Sequence, residues 1–196
     1  MGIGSAHGVA VADMLLATAL VVLLSATTLP VVAGALEAER ARLGAQFLAA
    51  VLQQAQLEAL RRGGCVALRF RVTPDDTEWQ AFADGNGNGV LSSDIALGID
   101  PALGPADRLG VHMRDVNLRI NQTVPDMGGG AALTAGSDPL RIGRSALLSF
   151  SPSGGATAGT LYVSAPHGPQ MAVRITGATA RLRVLRFDVG SQAWRP

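Results

Sequence analysis

From Met14 to Leu36 the chain reads MLLATALVVLLSATTLPVVAGAL, a run without one charged side chain. About 20 predominantly apolar residues are enough to carry a helix across the hydrocarbon core of a bilayer. The run therefore predicts a membrane-spanning helix. Residues 1–36 hold a single ionisable acid, Asp13, and neither Arg nor Lys. A carboxylate that enters lipid unpaired costs roughly 2.5–3.5 kcal/mol on insertion scales, so Asp13 needs a partner or a place at the interface, where it would cap the helix start. A cleaved secretory signal competes for the same segment, because Ala33-Gly34-Ala35 offers the small-x-small pattern of a cleavage site. The flanks fit that alternative poorly: the apolar run exceeds the roughly 7–15 residues of a signal core, and no basic residue precedes it.

The helical pattern does not end with the apolar run. Glu37 to Arg62, EAERARLGAQFLAAVLQQAQLEALRR, is built from strong helix formers. Leu36, Leu43, Phe47, Val51 and Ala55 recur at helical spacing and predict an apolar face along residues 43–60, the spine on which a domain would pack. Gly63-Gly64 supplies a stop, with Arg61 and Arg62 in the last turn. Joined to the apolar run, a helix from Val9 to Arg62 would be on the order of 80 Å long at about 1.5 Å per residue. Pro30 and Gly34 interrupt it and would bend or loosen it.

Beyond Gly64 the apolar period drops to two. Val66, Leu68, Phe70 and Val72 alternate with Arg69 and Arg71, the pattern of a half-buried strand. Further strands are predicted at 78–83, 116–120, 147–150, 160–164, 172–175 and 181–187, with Gly, Pro, Asn and Asp between them. Residues 85–115 and 122–140 read as long loops, the second containing Gly128-Gly129-Gly130. The fold class is α+β: one long N-terminal helix, half in the membrane and half amphipathic, packed on a β-rich C-terminal domain. At 196 residues the chain has room for one such domain. Its 48% hydrophobic and 16% charged residues exclude a disordered chain. A net charge of +1 excludes nucleic-acid binding by bulk charge, leaving a local patch open. Every basic residue is Arg, which removes lysine Schiff-base and P-loop chemistry, and the lone Cys65 supports neither an internal disulfide nor a thiolate metal cluster.

Gly8-Val9-Ala10-Val11-Ala12-Asp13, with the apolar run, Pro30 and the amphipathic continuation behind it, resembles the N-terminus of type IV pilin-like proteins, usually Gly-Phe-Thr-Leu-Ile-Glu. Leu52 to Gly63, LQQAQLEALRRG, resembles the LQxARSEAIRRG segment of the GspH/FimT family, and Cys65 to Val72 its first strand. Trp79 to Gly89 resembles the family's W-x-x-F-x-D-x-N-G-N-G loop, Leu148 to Gly154 its F-x-P-x-G turn, and Thr176 to Arg183 its closing TGRxR strand. The resemblance implies a type IV pilin-like fold divided into a prepilin leader (1–8), a transmembrane half-helix (9–36), an amphipathic half-helix (37–62) and a periplasmic β-rich domain (63–196). It implies cleavage by prepilin peptidase after Gly8, N-methylation of Val9, a helix kink at Pro30, and pairing of Asp13 with a neighbouring subunit's N-terminal amine to set filament registry. Val9, Ala12 and Asp13 depart from the usual residues and point to a minor subunit. The implied role is structural, not enzymatic: a minor pseudopilin or minor pilin in type II protein secretion or type IV pilus assembly. Its implied partners are other pseudopilins or pilins, prepilin peptidase, an inner-membrane assembly platform and membrane lipid.

Two other function classes stay open. Arg181, Arg183 and Arg186 form a small basic group, Arg181 and Arg183 on one strand face by period. FimT-like relatives include DNA-binding subunits of uptake systems, so these arginines are candidate DNA contacts, with a solvated strand face as the simpler reading. A signal-anchored periplasmic enzyme is the third class. For it the inventory is thin: His7, His112 and His167 are scattered, and Ser164 with His167 lacks a nucleophile-elbow pattern. Cys65, Trp79 and Phe82 read as packing residues. Asp84, Asn86 and Asn88, with Gly89, copy the first half of a calcium loop, yet position 12 is Ile95 where a bidentate Glu belongs, with Asp94 one residue early. Asn-Gly pairs are also strong tight-turn signals, so a turn is the preferred reading and no cofactor is expected.

Overall fold

The computed structural model describes residues 5–143 and 145–196, without the side chains of residues 5–10, 25 and 27–30. What the sequence led us to expect of the leader's first residues and of the side chains of Gly8, Val9 and Pro30 lies outside the described residues. The chain divides into two compact units, Met1–Leu36 and Glu37–Pro196. Helix α1 (Ser5–Arg62) supplies the first and opens the second.

In the first unit every residue from Val11 to Leu24 is exposed. These include Val11, Met14, Leu15, Leu16 and Leu20. The apolar surface runs around the whole helix, so no single face is set aside for a protein core. Among the described residues, no helix is long and apolar enough to cross a membrane. The expected span from Met14 to Leu36 is interrupted there by residues 25 and 27–30, which lie outside the described side chains.

In the second unit α1 stops at Arg62. Gly63 adopts the left-handed conformation at φ 65° and donates its N–H to the Leu60 carbonyl, as the double glycine predicted. Then come β1 (Val66–Val72), β2 (Thr77–Ala83), α2 (Ser92–Ala96), β3 (Asp107–Arg108), α3 (Leu109–His112), β4 (Asn117–Leu118), β5 (Leu140–Arg141), β6 (Leu147–Phe150), β7 (Gly159–Ser164), β8 (Met171–Ile175), β9 (Leu182–Asp188) and β10 (Ala193–Arg195). They form two antiparallel sheets, in the orders β3-β2-β1-β6 and β10-β9-β8-β7-β4, with β5 also pairing with β7. The fold is α+β. The predicted loop at 85–115 in fact carries two short helices and β3, and β5, at the close of the 122–140 loop, and β10 were not foreseen. Strands of two or three residues show no period to detect.

The spine of this unit lies along α1 where it was predicted, but of the predicted stripe only Ala55 is among its buried residues. Ala41, Ala45, Leu48, Leu52, Ala55 and Ala59 are the buried positions, spaced four and three residues apart, as one helix face requires. Leu36 and Leu43 are exposed, whereas Phe47 and Val51 are only partly buried at the margin. Small side chains let the helix approach the sheets closely: a Cβ on Gly44 would meet the side chain of Val116. Against this stripe pack Val66, Leu68 and Phe70 of β1, Leu148 and Phe150 of β6, and Val163, Met171, Val173 and Ile175 of the second sheet.

Two buried polar clusters tie the sheets and loops together. Thr77 Oγ1 donates to Asn117 Oδ1, and Asn117 Nδ2 donates to the carbonyls of Thr73 (3.0 Å) and Pro74 (3.2 Å). Gln170, wholly buried, donates to the carbonyls of Arg119 (2.9 Å) and Val163 (3.0 Å) and accepts the Asn121 N–H. On the other face of the second sheet, the 120–136 segment lays Ile120, Val124 and Leu133 over Tyr162, Ala172 and Phe187. Asp126 anchors it, accepting from Tyr162 Oη (3.1 Å) and Arg141 (3.2 Å). Burial, aided by the Asp126 carboxylate, pushes the Tyr162 hydroxyl up to about 12.

The two stripes make opposite predictions. Leu48→Ala should cost about 2–5 kcal/mol of stability in urea unfolding of the detergent-solubilised chain, as a cavity in a packed core does. Leu43→Ala should change it by no more than about 0.5 kcal/mol. A larger loss for Leu43→Ala than for Leu48→Ala would mean that the helix presents the other face.

Candidate functional site

The candidate residues fall in three places, and each is set by its element. Asp13 lies on α1 in the first unit, exposed among exposed apolar side chains. No second acid or base stands between it and Glu37, so an isolated carboxylate interrupts an apolar surface.

The second place is the loop after β2. The Asp84 N–H closes the end of β2 onto the Cys65 carbonyl at 3.0 Å. Its carboxylate then turns inward and accepts backbone N–H groups: Oδ1 from Asn86 (3.2 Å) and Gly87 (2.7 Å), Oδ2 from Gly89 (2.8 Å). Asp94 Oδ2 accepts the side-chain amides of Asn86 (2.9 Å) and Asn88 (3.1 Å), and Oδ1 accepts the Ser93 hydroxyl. Those three donors hold the Asp94 carboxyl below its ordinary range. Asp100, 2% exposed, accepts the N–H groups of Gly85 (3.0 Å) and Leu91 (2.9 Å). The sequence reading placed Asp84, Asn86 and Asn88 in one turn, which they share. It missed Asp100, whose signal was an Asx residue directly before Pro101 at the loop's far end. Among the described residues, no group of three or more His, Cys, Asp or Glu is placed to hold a metal ion. The Asp84 and Asp94 carboxylate oxygens accept the loop's own donors.

The third place is β9. Its register sets Arg183 opposite Arg174 and Arg186 opposite Met171. Arg186 therefore shares the helix-side face with Met171, away from Arg183. The basic group is split: Arg181 and Arg183 have one parity, Arg186 the other. Arg174, beside Arg183, donates to the Met127 carbonyl at 2.6 Å.

The remaining candidates have local roles. Ser164 is buried and its Oγ donates to the Arg119 carbonyl at 3.5 Å, while the His167 N–H reaches Glu37 at 3.5 Å. His112 Nε2 sits 2.9 Å from both Asp107 oxygens and its ring stacks on Phe47 at 4.8 Å. Cys65 packs beside Phe82 and Val90; burial, and then the Asp84 charge, push its thiol up, away from the thiolate that reactivity needs. Trp79 and Phe82 are both buried. At the end of α1, Arg61 and then Arg62 hydrogen-bond Glu58 and hold its carboxyl down at about 2.

With this geometry in hand, comparison with known proteins is decisive at the level of the family. The family described as type II transport protein GspH matches residues 44–180. The chain belongs to that family. The match starts in the amphipathic part of α1 and takes in both sheets through β8, including the Asp84 loop. Asp13, Arg181, Arg183 and Arg186 lie outside it. The family is one of minor pseudopilins, structural proteins of type II secretion. No curated protein and no solved structure matches the chain.

The Asp94 contacts give a pH dependence of known sign. A carboxyl whose folded pKa is depressed contributes stability that is present above its unfolded value and lost as pH falls through the folded one. Acidification through and below the ordinary carboxylate range should therefore free the Asn86 and Asn88 side-chain amides before the sheets unfold, as seen in their NMR signals. Asp94→Asn should abolish that pH dependence. A variant whose amide signals respond to acid as the wild type's do would mean that Asp94 does not hold the loop.

Proposed function

We propose that this chain is a minor pseudopilin of a type II secretion system, anchored in the inner membrane by the first part of α1 with its β-rich domain in the periplasm. The observation that carries the reading is the change of role along α1. From Ala41 to Ala59 its buried stripe is the core of a GspH-family domain. From Val11 to Leu24 every residue is exposed and most are apolar. Exposed apolar surface of that extent belongs in lipid or against other apolar helices.

On this reading the membrane holds the subunit in reserve until prepilin peptidase cuts after Gly8 and Val9 becomes the N-methylated first residue. The freed amine then lies near the start of an apolar helix. In a short filament, Asp13 of one subunit would neutralise the Val9 amine of its neighbour. Each charge alone is costly in an apolar setting, and together they offset that cost only at one axial offset. Registry follows from charge pairing, and lateral cohesion from the apolar surface. The partners are other pseudopilins and the assembly platform. A type IV pilus subunit would use the same features. A DNA-binding role retains Arg181 and Arg183 on one face with Arg174, which is held on the Met127 carbonyl, too few for more than weak, strongly salt-dependent binding.

Asp13→Ala should leave the domain folded and the chain in the membrane fraction while recruitment into cross-linked filaments drops at least about tenfold, the equivalent of losing one desolvated pair. Mass spectrometry of the membrane-derived chain should show an N-terminus at methylated Val9. Undiminished recruitment of the variant would remove the registry role, and a mature chain starting near Leu36 would remove the anchor.

A further inference from the structure

The Asp84 loop contains every Asx-Gly pair in the chain, and they are consecutive: Asp84-Gly85, Asn86-Gly87 and Asn88-Gly89. Such pairs are the most prone of peptide sequences to cyclise. The glycine backbone nitrogen attacks the side-chain Cγ of the preceding residue, and glycine offers no side chain to hinder the approach. For Asn, the N–Cγ bond forms, the Cγ–Nδ2 bond breaks, and the amide nitrogen leaves as ammonia with the proton given up by the glycine N–H. Water then opens the succinimide to aspartate or isoaspartate. For Asp84 the same ring forms by loss of water and reopens by its return. Asn86 and Asn88 are exposed, so water and base have access.

All three attacking nitrogens are occupied. Gly85 N–H donates to Asp100 Oδ1 at 3.0 Å, Gly87 N–H to Asp84 Oδ1 at 2.7 Å, and Gly89 N–H to Asp84 Oδ2 at 2.8 Å. The amides they would attack are held elsewhere, both on Asp94 Oδ2 at 2.9 and 3.1 Å. A carboxylate acceptor makes the N–H harder to deprotonate and fixes its direction, so nucleophile and electrophile are separately tethered. We infer that the loop is a latent modification site, three succinimide-forming pairs guarded by Asp84, Asp94 and Asp100, and that its conversion records opening of the loop. The change is consequential. Isoaspartate adds a methylene to the backbone, each Asn conversion adds a negative charge, and Gly87 and Gly89 sit at φ 81° and 90°, in a turn that an altered backbone does not reproduce.

The test is peptide mapping of the full-length chain in detergent, incubated at mildly alkaline pH, with Asn117 and Asn121 as internal asparagines not followed by Gly. Conversion at Asn86 and Asn88 should be at least about tenfold slower folded than in urea, since protection follows the opening equilibrium. Asp84→Ala should speed conversion at both asparagines. Asp100→Ala, which frees the Gly85 and Leu91 nitrogens but neither the Gly87 nor the Gly89 nitrogen, should speed isomerisation at Asp84 and leave Asn86 and Asn88 near the wild-type rate. Equal rates for folded and unfolded wild type would overturn the inference, even if Asp84→Ala fails to fold. So would Asp100→Ala accelerating the asparagines as much as Asp84→Ala, because general loop rigidity would then be the protection.

Discussion

The structure of the second unit depends on one contact, the small-residue stripe of α1 against both sheets. Ala41, Ala45, Ala55 and Ala59 bring the helix backbone close, and Leu48 and Leu52 fill the space between. Neither sheet has another helix of comparable length to cover its inner face, since α2 and α3 span five and four residues. The burial that offsets the ordering of ten strands is therefore organised around a single helix. That explains why the two sheets stay separate, with the orders β3-β2-β1-β6 and β10-β9-β8-β7-β4: each needs only to reach the helix. The polar contact of Thr77 with Asn117 ties the start of β2 to β4 at the seam.

How legible this was depended on the length of the repeating pattern. Strands β1, β2, β6, β7, β8 and β9 were legible because each is an apolar-rich run of four or more residues bounded by turn residues, and the stop at Gly63 because two glycines follow two arginines. The helical spine was legible, but its stripe, Ala55 apart, was misplaced because hydrophobicity was weighed by side-chain size. Leu36, Leu43, Phe47 and Val51 look like a core stripe, but a helix seated between sheets favours Ala at the closest approach, and alanine carries little signal in a segment rich in it. The segment 122–140 was read as an unstructured loop. Its Val124 and Leu133 are bridged to each other and its Asp126 is anchored under Tyr162, contacts made only once the strands are assembled.

The candidate site was legible to different depths. The family motifs were readable because they follow one another in order along the helix end, strands and turns, and the GspH match over residues 44–180 agrees with the family. The Asp84 loop shows the limit of motif reasoning. Oxygens at alternating positions suit a calcium ion and also suit a turn in which carboxylates accept backbone N–H groups; spacing alone does not distinguish them. What spacing did not reveal is that Asp94 and Asp100, from the far end of the loop, accept donors of the turn. The arginines show the converse. Three basic residues within six positions look like a patch, but strand parity puts Arg186 on the other face from Arg183.

The charge pattern along α1 has a physical reading in the folded unit as well. Glu37 is the first charged residue after Asp13, and it is at once neutralised: Arg40 meets it at 2.9 Å and reaches Asp115 at 3.6 Å, and the His167 N–H approaches from the 165–169 turn. A Cβ at Gly168 would meet the Glu37 carbonyl oxygen, so that turn packs directly on the first residue of the unit. The domain thus begins where charged side chains can be paired, and Ala41, the first buried apolar residue of the stripe, follows one turn later. Among the described residues before Glu37, apolar side chains such as Leu20, Val31 and Leu36 are exposed. The Glu37 network sets the point along one helix at which the buried stripe of the folded unit begins.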